Sequence, residues 1–303
     1  MNATRRKLFA IVNPAAGSGR ARKLAPAALE KLRAAGLDVQ AQYTTKPGHG
    51  TQLAREAYAA GWRDFVAVGG DGTAYEIVNG LLPDVLSGER AAIGFLPVGT
   101  GNSFLRDFFH GGAQHSAQAI IEGRRRSCDV VLLEHEGGAT YSINIVSVGF
   151  AANVAAITNR RFKRLGPLGY LLGVLTCLAT LDRRAFPLRA DGDADADHRR
   201  CLFLTFSNSK FTGGKMMIAP DAVTDDGFVE YVRWGPIGRL GLVWNLPTLF
   251  TGTHIRHPMA SRRAVQRIEF ERGEPIDVMV DGEVLTTRCK SITILPGALD
   301  VMA

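Results

Sequence analysis

Residues 65–75, FVAVGGDGTAY, join a short apolar run to a glycine-rich turn. The four apolar residues are typical of a strand buried on both faces of a parallel sheet. Beyond the glycines, Ala74, Ile77 and Leu81 recur at helical spacing, which predicts a helix packed on that sheet. Glycines allow a ligand to approach the main chain, and the start of a helix offers free N–H groups to an anion. The stretch therefore predicts either a phosphate-binding loop or an ordinary tight turn before a capped helix.

The same arrangement occurs three times in the first hundred residues. LFAIV leads to NPAAGSGRA, FVAV leads to GGDGT, and AIGFL leads to PVGTGNSF. Strands that alternate with helices predict a parallel, right-handed α/β sheet. Ligands bind such sheets at the carboxyl ends of the strands, so the three glycine loops are candidates for a nucleotide site.

The pattern changes at about residue 128. CDVVLLEHEGGATYSINIVSVGF indicates two strands around a Gly-Gly turn, and further short strands follow helical material at 151–181. Many short strands separated by turns predict an antiparallel sandwich or barrel. The acidic run DGDADAD at 191–197 lacks the glycine and glutamate that a calcium loop requires, so we interpret it as a polar hairpin tip.

Composition narrows the classes of function. The chain has 303 residues, a net charge of +7 and a sequence pI of about 9.4, which favours anionic partners such as nucleotides or an anionic membrane. The basic clusters lack interleaved aromatic residues, which argues against nucleic acid. Four scattered cysteines without zinc spacing favour a reduced, cytoplasmic compartment. The longest nonpolar stretch, 166–181, falls short of the ~20 residues that span a bilayer.

The loops fit neither of two familiar nucleotide motifs. GxxxxGK[ST] and GxGxxG both fail at Arg22, and GxGxxG fails again at Phe104. What remains is a loop with Asp71 at its centre. A carboxylate there would repel a polyphosphate, so it implies Mg²⁺ if ATP binds, and the combination points to phosphoryl transfer.

GGDGTAYEIVNGLL, together with NPAAGSG, LPVGTGNSFLRD, GGKMMIAPDAVTDDGFVEYV, GTHIRHP and VMVDGEVL, resembles the diacylglycerol kinase and sphingosine kinase superfamily. Within it, the chain is most similar to the soluble bacterial lipid kinases. The resemblance implies an N-terminal Rossmann-like, NAD-kinase-like α/β domain at 1–128, on which residues 296–303 pack back. It further implies a C-terminal antiparallel β-sandwich domain at 129–295, and an ATP- and Mg²⁺-dependent kinase that phosphorylates a hydroxyl of a membrane lipid such as diacylglycerol or a sphingoid base.

The same resemblance implies the residues of the site. Asp71 would hold the Mg²⁺ of the nucleotide, and Glu283 would act as the general base that takes the proton from the lipid hydroxyl. Without the resemblance, the local sequence predicts that Glu283 is a solvated carboxylate in a hairpin. The residues expected to contact ATP are Asn13, Pro14, Ala15, Ala16, Gly17, Thr44, Gly69, Gly70, Asp71, Gly72, Thr73, Ala74, Tyr75 and Thr100.

A second, structural Mg²⁺ is implied at VTDDGF. Asp226 would bind it through the side chain, and Val223 and Phe228 through their backbone carbonyls, since this hard cation prefers oxygen. Asp129 would be linked to the metals through water. Read from the local sequence alone, VTDDGF is a plain turn, and Asp129 is a residue at the start of a strand.

Two positions depart from the family pattern, and other functions stay open. Tyr75 stands where an asparagine is common, and Ser103 where an aspartate is common. The alternatives are an NAD-kinase-like small-molecule kinase and a catalytically silent nucleotide- or lipid-binding sensor. We expect peripheral contact with the membrane, for which RRFKRLGPLGYLLGVL at 160–175 offers cations followed by apolar residues. The oligomeric state, a homodimer included, is left open.

Overall fold

The computed structural model describes residues 5–98, 102–108, 112–162, 166–213, 215–271 and 273–303. The chain forms two compact units. The first unit comprises Met1–Val130 and Pro296–Ala303, and the second comprises Val131–Leu295. The chain crosses from the first unit to the second after Val130, slightly beyond the predicted boundary at residue 128, and it returns to the first unit after Leu295.

The first unit alternates strands with helices. Its strands are β1 (Lys7–Val12), β2 (Asp38–Tyr43), β3 (Asp64–Gly69) and β4 (Ala92–Pro97), with the start of β5 (Arg126–His135) and the end of β17 (Cys289–Val301). Its helices are α1 (Arg20–Ala34), α2 (His49–Ala59), α3 (Asp71–Leu81), α4 (Asp84–Ser87) and α5 (Gly112–Glu122), with a 3₁₀ turn at Phe104–Asp107.

The strands of the first unit pair in parallel in the order β2-β1-β3-β4, and Asp300 and Val301 of β17 continue the sheet beside β4. Alternate side chains of β1 face opposite layers because successive residues of a strand point to opposite faces. Leu8 belongs to a core cluster with residues of α1 and α5. Phe9 contacts the rings of Trp62 and Phe65. The sheet is thus covered on both faces, as a parallel sheet requires.

The second unit is mostly antiparallel. Its strands are the end of β5, β6 (Gly138–Ser142), β7 (Ile145–Gly149), β8 (Leu188–Ala190), β9 (Phe203–Ser207), β10 (Phe211–Thr212), β11 (Met216–Met217), β12 (Val229–Trp234), β13 (Ala260–Val265), β14 (Arg267–Phe270), β15 (Ile276–Val280), β16 (Glu283–Thr287) and the start of β17. Its helices are α6 (Phe150–Ile157), α7 (Gly166–Ala179) and α8 (Arg239–Thr251), with a π turn at Thr158–Phe162 and a 3₁₀ turn at Thr253–Arg256.

A six-stranded sheet in the order β13-β12-β9-β7-β15-β16 forms one layer of the second unit. Phe206 of this sheet stacks on Tyr231 and meets Phe270 of β14 edge to face, with ring centroids 5.8 Å apart in the second contact. Since β14 pairs with β8 and β17 rather than with the six strands, this contact joins two layers. The fold is therefore the α/β unit and antiparallel β-sandwich expected from the sequence. Among the described residues, no helix is long and apolar enough to cross a membrane.

One sequence prediction was too simple. The stretch predicted as two strands around a Gly-Gly turn forms three, because the chain leaves β6 at Ser142 and enters the six-stranded sheet as β7 at Ile145. Asp281 makes this change possible, since its carboxylate accepts the N–H groups of Ile143, Asn144 and Ile145. Because the residues on either side of this strand break are apolar, the sequence alone does not reveal it.

The acidic run at 191–197 is also more than a hairpin tip. Asp191 accepts hydrogen bonds from the N–H groups of Gln266 and Arg267. Asp197 forms an ion pair with the buried Arg233 at 3.0 Å. The run therefore fastens neighbouring strands of the second unit.

Close packing of α2 and α3 gives a test of the first unit. A Cβ on Gly80 would lie 2.7 Å from the Cβ of Ala54 and would also strike the carbonyl oxygen of Thr51. We expect Gly80→Ala to lower the free energy of unfolding by about 1–3 kcal/mol, despite the better helix propensity of alanine. Urea denaturation measures this. Gly273→Ala is the matched control, since a Cβ there meets nothing closer than 3.9 Å; equal stability of the two variants would contradict the packing.

Candidate active site

The carboxyl ends of the parallel strands meet at one edge of the first unit. The N–H of Asn13 donates to the carbonyl of Val68 at 3.0 Å, and the N–H of Thr44 donates to that of Val12 at 2.9 Å. The N–H of Val98 donates to the carbonyl of Gly69 at 3.1 Å. These bonds place the loops after β1, β2, β3 and β4 side by side, where open α/β sheets bind ligands.

The loop after β1 contains the candidate residues 13–17. The side-chain oxygen of Asn13 accepts the N–H of Ala15 at 3.0 Å and closes a tight turn over Pro14. The carbonyl of Asn13 accepts the N–H of Ala16 at 3.1 Å. Gly17 has a φ of 61°, a left-handed conformation that favours glycine, and the chain then enters α1 without a side-chain cap. The loop thus presents main chain at the sheet edge.

The loop after β3 is the shortest of the set. Gly70 is the N-cap of α3, and because it has no side chain it leaves the first turn uncapped. A Cβ on Gly69 would lie 2.8 Å from the Cβ of Thr73, so the turn needs glycine there. Asp71, Gly72, Thr73, Ala74 and Tyr75 form the first turns of α3. The helix therefore begins at Asp71, earlier than its apolar spacing indicated.

Asp71 is an ionisable residue at this edge, in the first turn of α3. The N–H of Ser103 donates to both of its carboxylate oxygens at 3.1 Å. Burial raises the pKa of Asp71, and hydrogen bonds from Ser103 and Phe104 partly oppose this. Ser103, noted in the sequence only as a departure, is thus a donor to the candidate metal ligand. Thr100 lies outside the described residues.

The oxygen atoms at this edge fit a hard cation. The side-chain oxygen of Thr73 is buried and has no hydrogen-bond partner within the described part of the chain. The half-buried carboxylate of Asp71 lies two residues earlier in α3, and a divalent ion would stabilise its charge. Mg²⁺ takes such oxygen ligands.

Glu76 is a residue that the sequence reasoning missed. Its two carboxylate oxygens accept the N–H groups of Gly48 and Gly50 at 2.8 and 2.7 Å. The start of α2 is therefore already occupied by an anion, unlike the starts of α1 and α3, which lack a side-chain cap. The sequence did show a glutamate three residues after Thr73 of the GGDGT motif. The two glycines whose N–H groups it accepts, however, lie 28 and 26 residues away in the sequence.

Glu283 lies in the second unit, at a hairpin. Val280 and Glu283 are paired across a two-residue turn, in which Asp281 and Gly282 have φ values of 49° and 97°. Two left-handed residues give the turn that matches the twist of the flanking strands. Glu283 is exposed, which fits both the predicted base and a solvated hairpin carboxylate, so its role stays a prediction.

A buried polar network supports this hairpin. Asp281 is 5% exposed and accepts the hydroxyl of Ser142 and three backbone N–H groups. Beside it, Ser209 donates to the side-chain oxygen of Asn144, and Asn208 donates to the carbonyl of Ile143 at 3.0 Å. The sequence reasoning missed these residues, although small polar residues at the ends of apolar runs, YSIN and TFSNS, were visible. The network fixes the turn that carries Glu283.

The Asp226 loop lies at the same end of the six-stranded sheet. Glu230 of β12 pairs with Ser207, which pairs with Ile145, whose carbonyl accepts the N–H of Asp281. Glu283 follows on the outermost strand, so four strand spacings, about 19 Å, separate it from β12. A cation at Asp226 would therefore lie too far from Glu283 to contact it.

Local electrostatics at this loop suit a cation. The Asp226 carboxylate accepts the N–H of Phe228 at 3.0 Å, and Val223 and Phe228 are exposed. Burial, and then the charge of Asp226, raise the pKa of Glu230 to about 7. Within the described ranges no three His, Cys, Asp or Glu residues cluster to hold a metal, so an ion here needs the backbone carbonyls as well.

Asp129 lies in the first unit. It is 2% exposed, and its carboxylate accepts the N–H of Gly297 at 2.6 Å. It therefore ties β5 to the returning end of the chain. Nearby, Arg90 donates to Asp300 at 2.9 Å and to the hydroxyl of Ser127 at 2.8 Å.

Two families match the chain. One, described as "Diacylglycerol kinase catalytic domain", matches residues 7–133, and the other, described as "YegS C-terminal NAD kinase beta sandwich-like domain", matches residues 144–303. Together they cover both units. These matches define the class to which the fold and the candidate site belong.

Individual proteins agree with these matches. A protein of Pseudomonas fluorescens named "Probable lipid kinase YegS-like" is 31% identical over 91% of this chain and 89% of its own. A "Diacylglycerol kinase" of Mycobacterium tuberculosis is 27% identical over 98% and 94%. A crystal structure titled as a diacylglycerol kinase from Bacillus anthracis has the same fold, with a TM-score of 0.71 at 21% identity over 99% and 98% of the two chains. The chain belongs to the diacylglycerol kinase and YegS-like lipid kinase family, and it is a lipid kinase.

The hairpin network gives a second test. Asp281→Ala removes the acceptor of three buried N–H groups and a hydroxyl, and we expect it to lower the free energy of unfolding by about 2–4 kcal/mol. Asp38→Ala is the control, since Asp38 is an exposed carboxylate at the start of β2 in the first unit and its loss should cost under about 0.5 kcal/mol. Urea denaturation followed by circular dichroism compares them. Equal effects would show that the buried network does not hold the turn.

Proposed function

We propose that this chain transfers the γ-phosphate of ATP, with Mg²⁺, to a hydroxyl of a membrane lipid. The observation that carries the proposal is the meeting of the Asn13 loop, the Thr44 turn and the Gly69–Tyr75 loop at one sheet edge, with the Asp71 carboxylate among them. The names of the relatives make diacylglycerol the first acceptor to test. The resemblance of the sequence to the sphingosine kinases makes a sphingoid base the second.

Each part of the edge has a role in holding the nucleotide. The glycine turn after β3 leaves the start of α3 without a side-chain cap, and that helix start favours negative charge such as that of phosphate oxygens. Asp71 would hold the Mg²⁺, with Thr73 as a further oxygen, and the bound ion would neutralise charge on the phosphates. Glu76 keeps the start of α2 closed to phosphate.

The chemistry needs one base. The lipid hydroxyl oxygen attacks the γ-phosphorus, the bond from that phosphorus to the β-phosphate oxygen breaks, and ADP leaves. Glu283 accepts the hydroxyl proton, which its exposed position on a rigid hairpin allows. Asp226, Val223 and Phe228 would hold a structural Mg²⁺ that orders the start of β12. Asp129 would contribute by fastening the chain end through Gly297.

Substitution of Asp71 tests the nucleotide site. We expect Asp71→Asn to weaken Mg²⁺-dependent ATP binding by about tenfold or more, with a larger loss of turnover, because the amide is a poor Mg²⁺ ligand. Since burial raises the pKa of Asp71, protons should compete with Mg²⁺, and the wild type should need more Mg²⁺ for half-maximal activity as the pH falls. Titration calorimetry and Mg²⁺ titrations at several pH values measure both. Unchanged binding in the variant would remove Asp71 from the site.

Substitution of Glu283 tests the chemical step. Glu283→Gln should lower kcat by about 10²–10⁴-fold while ATP binding is retained. Glu269→Gln, an exposed carboxylate on β14, is the control and should keep full activity. The assay uses labelled ATP, Mg²⁺ and a panel of lipids in mixed micelles, with NAD as a further acceptor. Labelled NADP would favour an NAD-kinase-like enzyme, and ATP binding without transfer to any acceptor would favour a silent sensor.

A further inference from the structure

Helix α8 presents an apolar face to solvent. Leu240 is 87% exposed, Trp244 86%, Phe250 53% and Val243 49%, and Pro247 between them is also exposed. Their spacing of three and four residues puts all five on one side of the helix. The opposite side is buried in the core of the second unit. A helix that is apolar all round is expected inside a protein, yet half of this one is uncovered.

The segment of chain that contains this face carries no acidic residue, since no Asp or Glu occurs between Glu230 and Glu269. Arg239 at the start of α8 and Arg256 in the 3₁₀ turn after it are exposed, and neither forms an ion pair with a carboxylate within the described part of the chain. Arg239 donates instead to the carbonyls of Leu178 and Ala179, which ties α8 to the end of α7. The face therefore suits an apolar partner with an anionic surface.

We propose that this face of α8, the exposed side chains of Leu240, Val243, Trp244, Pro247 and Phe250, inserts into the interface of an anionic lipid bilayer. A helix that lies in the interface buries its apolar face about 5–10 Å below the headgroups, and tryptophan favours that depth. Arg239 and Arg256 would meet the phosphates of the lipids. The proposal deepens the proposed function, because a kinase that acts on a membrane lipid must reach it at the bilayer.

A second copy of the chain fits this face less well. The outer side of a 13-residue helix, about 20 Å long, presents only five exposed apolar side chains, which together offer less than the about 800 Å² per partner of a standard interface. Two copies would also bring arginines of like charge together. A bilayer imposes neither limit.

Intrinsic fluorescence reports the insertion. The chain has three tryptophans, of which Trp234 is fully buried and Trp62 partly buried, so Trp244 is the one that a vesicle can reach. Vesicles of equal parts phosphatidylglycerol and phosphatidylcholine should shift the emission to shorter wavelength, and Trp244→Phe should remove the shift while keeping most of the binding. A wild type that neither shifts nor sediments with these vesicles overturns the proposal.

Paired variants locate the contact. Leu240→Gln with Trp244→Gln should reduce vesicle binding at least tenfold in cosedimentation. The control joins Leu24→Gln with Leu86→Gln, two leucines of the first unit that are 49% and 48% exposed, and it should bind as the wild type does. Equal binding by the α8 variant, or an equal loss in the control, overturns the assignment. If the wild type is a dimer in sedimentation velocity and the α8 variant is a monomer, a second copy of the chain occupies this face. That result would also overturn the proposal.

The test is separable from the proposed kinase activity. Vesicle binding needs neither ATP nor an acceptor lipid, so it decides the role of α8 even if no lipid is phosphorylated. With short-chain diacylglycerol below its micelle concentration, the α8 variant should keep wild-type turnover, and with long-chain diacylglycerol in vesicles it should lose about tenfold. Equal losses in both assays would mean that α8 acts on folding or catalysis, which contradicts docking.

Discussion

Strands β1, β3 and β4 end at the same height in the parallel sheet, and this register determines where the candidate loops lie. Val12 is paired with Val68, and Val68 with Leu96, so the three strands end together. The turns that follow must then emerge at one edge, where the uncapped start of α3 also lies. A shift of one residue would turn the buried side chains of a strand outward, so the apolar sequences of these strands also protect the site.

Two carboxylates, the half-buried Asp71 and the buried Asp281, differ in how fully they are hydrogen-bonded. Asp281 accepts three backbone N–H groups and a hydroxyl, which suits a structural role. Asp71 lies at a loop edge where burial raises its pKa, with donors mainly from Ser103 and Phe104. Its charge is therefore less well compensated, and a divalent cation would stabilise it. The difference follows from the neighbours of each residue rather than from the residue type.

The second unit combines a packed interior with two exposed features. Its buried network holds a hairpin with an exposed Glu283, and its core holds one side of α8 while the other stays uncovered. Both features place a carboxylate or an apolar group on a surface that packing has fixed.

Local signals in the sequence determined the elements and the class. The apolar runs, the glycine turns and GGDGT predicted the α/β unit, and the short strands predicted the sandwich, because spacing and backbone freedom are properties of neighbouring residues. Only the tertiary structure decided the partners of these residues. Glu76 accepts a hydrogen bond from Gly48, and Asp71 accepts one from Ser103. Asp281 accepts one from Ile143. Trp244 stays exposed although its helix is largely apolar. These contacts join residues far apart in the chain, and which face of an apolar helix is covered depends on the whole core, so no local pattern contains them.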